Sequence, residues 1–73
     1  MKVEDFTRRL EKIAGWDAEI TTYRIGDTWH CHVDNVSPGA TVARADGETR
    51  EAAEREALTK ADARLGATRR AKG

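Results

Sequence analysis

Val3-Glu4-Asp5-Phe6-Thr7-Arg8-Arg9-Leu10-Glu11-Lys12-Ile13-Ala14-Gly15-Trp16 is the stretch on which the fold turns. Val3, Phe6, Leu10 and Ile13 recur at spacings of three, four and three, the period of one apolar helix face, with Arg8, Arg9, Glu11 and Lys12 on the other sides. The spacing predicts a helix over residues 1–14. Gly15 then stands where a left-handed helix cap is wanted, and Trp16 can fold back onto Leu10.

Beyond Gly15 the period changes. Ile20, Thr21, Thr22, Tyr23 and Ile25 are strand formers, and Gly26-Asp27 suits a two-residue hairpin loop. From Thr28 to Val33 the alternation is clean: Trp29, Cys31 and Val33 on one face, Thr28, His30 and His32 on the other. Asn35-Val36-Ser37-Pro38-Gly39 is a turn-rich break before a third strand, Ala40 to Ala45, centred on Val42. Thr49 is an N-cap for a last helix with Glu51 in its first turn, and Ala53, Ala57, Ala61 and Leu65 form its apolar stripe up to Gly66. The expected fold is α+β: a two-layer α-β-β-β-α domain, a three-stranded antiparallel meander with both helices on one sheet face. The expected core is Val3, Phe6, Leu10, Ile13, Trp16, Ile20, Trp29, Cys31, Val33, Val42, Ala53, Ala57, Leu58, Ala61 and Leu65. Residues 1–66 form the single domain and residues 67–73 a disordered basic tail.

Seventy-three residues suffice for one domain with a thin core. Thirteen basic and 13 acidic side chains cancel, which argues against a protein whose business is neutralising phosphates. The cancellation is uneven, because Arg64, Arg69, Arg70 and Lys72 close the chain without an acid among them. A single cysteine excludes an intramolecular disulfide and fits a reducing compartment. The chain contains neither a membrane-length apolar run nor a signal-peptide pattern, so a cytoplasmic location is expected.

The order helix, three-strand meander, helix resembles the double-stranded-RNA-binding domain, and Thr49-Arg50-Glu51-Ala52-Ala53-Glu54 with Ala57, Ala61 and Leu65 is similar to that family's last helix. The resemblance implies phosphate contacts from the start of this helix, which fall on Arg50, Glu51 and Glu54. Two of the three positions are acids, so the resemblance implies a shared fold with altered binding. Trp29 to Leu58, with Ser37-Pro38-Gly39-Ala40 and Gly47-Glu48-Thr49-Arg50-Glu51-Ala52, resembles HicB-type antitoxins. That resemblance implies a protein-binding role.

His30-Cys31-His32 has metal-ligand residue types, but a strand turns Cys31 away from the histidines, so no metal and no cofactor is expected. No nucleophile–base order, phosphate-cradling loop or paired-carboxylate motif is present, so neither an enzyme nor a small-molecule substrate is expected. The sheet face away from the helices should carry Tyr23, His30, His32 and Arg44. These side chains could stack bases, contact a protein or form a second copy's interface, or simply face water. The expectation is a non-enzymatic interaction module that binds a protein or pairs with itself through the open sheet face or a sheet edge. The alternative is a nucleic-acid-binding domain using Arg50, Arg69 and Arg70. No membrane partner is expected.

Overall fold

A computed structural model describes residues 3–36 and 39–72, with side chains described up to residue 67. The chain forms β1 (Val3–Ile13), β2 (Trp16–Ile25), β3 (Thr28–Asn35), β4 (Thr41–Gly47) and α1 (Arg50–Lys72). The strands make one antiparallel sheet in the order β1-β2-β3-β4, with each strand beside its neighbour in sequence. The fold is therefore a four-strand meander with one C-terminal helix, and the expected α-β-β-β-α order is wrong at its first element. With the N-terminal helix gone, the helix-first order that carried the likeness to the double-stranded-RNA-binding domain is gone as well.

The helix-like spacing of the first segment has a different origin. Glu4 pairs with Arg24 and Thr7 with Thr22, so Asp5 and Phe6 together oppose Tyr23 in a bulge, with Asp5 at φ 53°. The extra residue brings Val3 and Phe6 to the same face, and Leu10 follows on that face by ordinary alternation. Ile13 falls on the opposite face, where it is buried. Gly15 caps no helix. Ala14 at φ 52° and Gly15 at φ 82° form a two-residue turn with both residues left-handed, the geometry whose twist matches a hairpin, and Ile13 pairs with Trp16 across it.

The β2–β3 hairpin closes at Gly26-Asp27 with Gly26 at φ 61°. Of the turn before β4, Ser37 and Pro38 lie outside the described residues. Asn35 N–H donates to Ala40 carbonyl oxygen across it at 2.8 Å. Thr49 caps α1, its Oγ1 accepting from Ala52 N–H at 3.1 Å. Gly66 was expected to end this helix, yet it lies inside α1 and takes no left-handed φ. A mid-helix glycine costs only about 1 kcal/mol relative to alanine, too little by itself to break a helix that is anchored up to the buried Leu65.

The core lies between α1 and one sheet face. Ala53, Ala57, Ala61 and Leu65 meet Ala18, Ile20, Cys31, Val33, Ala43 and Ala45, all buried. Small residues on both sides let the helix approach closely, chiefly over β4 and β3, lightly over β2 and least over β1. Val42, expected in the core, is only half-buried, because a register shift between Val33 and Asp34 hands the inward positions to Ala43 and Ala45. Val3, Phe6 and Leu10 are the larger correction: they are 51%, 53% and 70% exposed on the face that α1 does not cover.

Candidate functional site

The cross-strand register sets out the open face. Tyr23 stands opposite His30, His32 opposite Arg44, and His30 opposite Asp46. Together with Thr41 these side chains line a cavity of about 230 Å³. Sequence and structure thus bring Tyr23, His30, His32 and Arg44 to one place. Cys31 is buried against the helix face and its thiol is pushed up chiefly by burial.

Both histidines are oriented by carboxylates. His30 Nδ1 lies 2.7 Å from Asp46 Oδ1, and His32 Nδ1 lies 3.1 Å from Asp34 Oδ2. A carboxylate only accepts, so each Nδ1 is the donor in its contact and each Nε2 points away from it. Thr41 Oγ1 donates to the second oxygen of Asp34 at 2.8 Å. Among the described residues, no group of three or more His, Cys, Asp or Glu is arranged to hold a metal ion.

The aromatic rings lean on one another. Tyr23 and His30 have centroids 5.3 Å apart and planes 25° apart; Phe6 and Tyr23 are at 6.4 Å and 20°. Phe6, Tyr23 and His30 thus form a row of neighbouring rings across β1, β2 and β3. Arg8 lies 5.4 Å from the Phe6 centroid and adds a cation to the row.

The residues of the nucleic-acid reading are placed differently. Arg50 Nη2 donates to Thr7 Oγ1 at 2.7 Å, and its guanidinium lies 5.9 Å from the Trp29 ring centroid. Glu54, expected to face outward beside it, turns into the sheet instead. It accepts from Arg9 Nη2 at 3.0 Å and from Thr22 Oγ1 at 2.9 Å. The side chains of Arg69 and Arg70 lie outside the described residues. Burial works most strongly against the Glu54 carboxylate. The hydrogen bonds from Arg9 and Thr22, with the charges of Arg9 and Arg50, still hold its pKa below the ordinary value.

The two sheet edges differ. On β4, Lys60 Nζ donates to the Arg44 carbonyl at 3.4 Å, and Arg64 Nη1 donates to the Val42 carbonyl, so helix side chains cover main-chain acceptors. On β1 no helix side chain among the described residues does the same. Leu10 and Val36 share a depression at the hairpin end of this edge, beside Lys12 and Asp17. Sequence reasoning missed this surface because it assigned Val3, Phe6 and Leu10 to a buried helix face. The signal available was Ala14-Gly15, a glycine-containing pair that also fits a hairpin.

No family model matches the chain. Neither does any curated protein or solved structure. The reading of function rests on the surface alone. Among the described residues no helix is long and apolar enough to cross a membrane.

Proposed function

We propose that this domain is a non-enzymatic protein-interaction module whose contact surface is the β1 side of the sheet. One observation carries the reading: β1 is an edge strand, uncovered among the described residues, that also holds Val3, Phe6 and Leu10 exposed on one face. An edge strand offers unpaired N–H and C=O groups to an incoming strand, and apolar side chains beside it supply the contact area. Apolar residues clustered at an unpaired edge are what a soluble domain otherwise blunts or covers, as α1 does at β4.

A photoreactive amino acid at Phe6, and in a second protein at Asp62 on α1, tests the reading in living cells. Protease-sensitive adducts at Phe6 and none at Asp62 are expected. Adducts that disappear with nuclease would replace this reading by nucleic-acid binding, and no adduct at Phe6 would end it.

A further inference from the structure

We propose that the partner strand is β1 of a second copy of this chain, paired antiparallel about a two-fold axis through Leu10. This rests on the reading of β1 as the contact edge and adds the occupant and its register. The two-residue turn at Ala14-Gly15 makes Ile13 and Trp16 a hydrogen-bonded pair, and alternation from there fixes the direction of every main-chain group. Ile13, Glu11 and Arg9 turn their N–H and C=O toward β2. Lys12, Leu10 and Arg8 turn theirs outward.

The bulge at Asp5 ends the regular edge, leaving Thr7–Ile13 for pairing. The midpoint of that stretch is Leu10. With the axis there, Leu10 exchanges both of its main-chain hydrogen bonds with Leu10 of the second copy, and Arg8 does the same with Lys12 of the second copy. Every outward donor and acceptor between the bulge and the turn is thereby used.

Charge supports the same register. Arg9 and Glu11 pair with each other within one copy, while Arg9 also holds Glu54. Both flank the axis on the helix-side face, so Arg9 of each copy lies across from Glu11 of the other in a non-hydrogen-bonded pair, and the two ion pairs can join into one network. On the opposite face Leu10, 70% exposed in one copy, meets its own mate. Arg8 and Lys12 approach one another there, but each already has an acid beside it: Arg8 Nε lies 3.6 Å from Glu19, and Lys12 Nζ 3.2 Å from Asp17. The helix lies chiefly over β3 and β4, and among the described residues no helix side chain bonds to the main chain of β1. The product is one eight-stranded sheet, with a helix over each outer half.

A seven-residue edge buries less than the roughly 800 Å² per partner of a standard interface, so the dimer should be concentration-dependent in the micromolar range. Sedimentation velocity from about 1 µM to 1 mM should show the mass doubling as concentration rises. Leu10→Pro removes an outward N–H without touching the β1–β2 ladder, because proline is tolerated where an edge strand's N–H faces solvent. It should shift the midpoint at least tenfold upward with the circular dichroism spectrum unchanged. Leu10→Asp, which sets two carboxylates on the axis, provides the same readout should the proline disturb folding. A chain that remains monomeric to 1 mM overturns the self-pairing, while adducts at Phe6 would still uphold a different protein partner. A dimer that both variants leave intact overturns it too, since its interface would lie elsewhere.

Discussion

Ala14 holds a backbone conformation, φ 52°, that a side chain with a Cβ adopts at a cost of about 1 kcal/mol or more. It stands at the first of the two turn positions, where asparagine followed by glycine is the preferred pair. Ala14→Asn should therefore stabilise the domain by about 1 kcal/mol, seen as a higher urea midpoint at an unchanged slope. An unchanged midpoint would mean that the turn is not under strain. The same residue explains why the hairpin was hard to read: asparagine at position 14 would have announced the turn, whereas alanine extends a helical pattern. At the residue scale the rest was more legible. Thr49 as cap, Cys31 facing inward and the histidines facing outward all follow from local rules, because capping and strand alternation depend on immediate neighbours only.

At the scale of elements, α1 was legible and β1 was not. The alanine stripe Ala53, Ala57, Ala61 repeats at helical spacing and is fully buried, so pattern and structure agree. In β1 a single bulge inserted one residue into a period-two pattern and counterfeited a period near 3.6. Sequence periodicity cannot distinguish these without knowing that Asp5 takes a left-handed turn. The joint between β4 and α1 is equally specific. A Cβ at Gly47 would lie 2.8 Å from Ala53 N and 3.1 Å from Ala52 Cβ, against the backbone of the first helical turn. Gly47→Ala should cost about 1–3 kcal/mol, the usual penalty for overpacking. Thermal unfolding checks this, and a melting temperature within a degree of the parent's would show that the helix entry can give way.

Across the whole molecule, α1 is tied to the far strands by polar contacts that no local pattern announces. Glu54 reaches Thr22 on β2 and Arg9 on β1, and Arg50 reaches Thr7, so the helix holds strands over which it barely packs. Because Glu54 is held below its ordinary pKa, its contribution to stability is complete above the unfolded value of about 4.3 and is lost as pH falls through the folded one. The stability gap between the parent and Glu54→Gln should thus be largest near pH 7 and shrink below pH 4, as read by denaturant titration at several pH values. A gap independent of pH would mean that the charge contributes nothing. The open-face cluster was legible as a set of residues, but the β1 surface was not, since it exists only once the first segment is a strand.

Lys60 and Arg64, reaching from the helix to the carbonyls of β4, also set how many neighbours a molecule can have. A sheet with two exposed margins can add copies without limit and grow into a ribbon. Here two main-chain acceptors of one margin, the carbonyls of Val42 and Arg44, are taken by the protein's own cations, so the proposed pairing through β1 would give the sheet a valence of one. Growth through β1 alone would terminate itself: joining two molecules would consume both β1 sites and leave neither for a third.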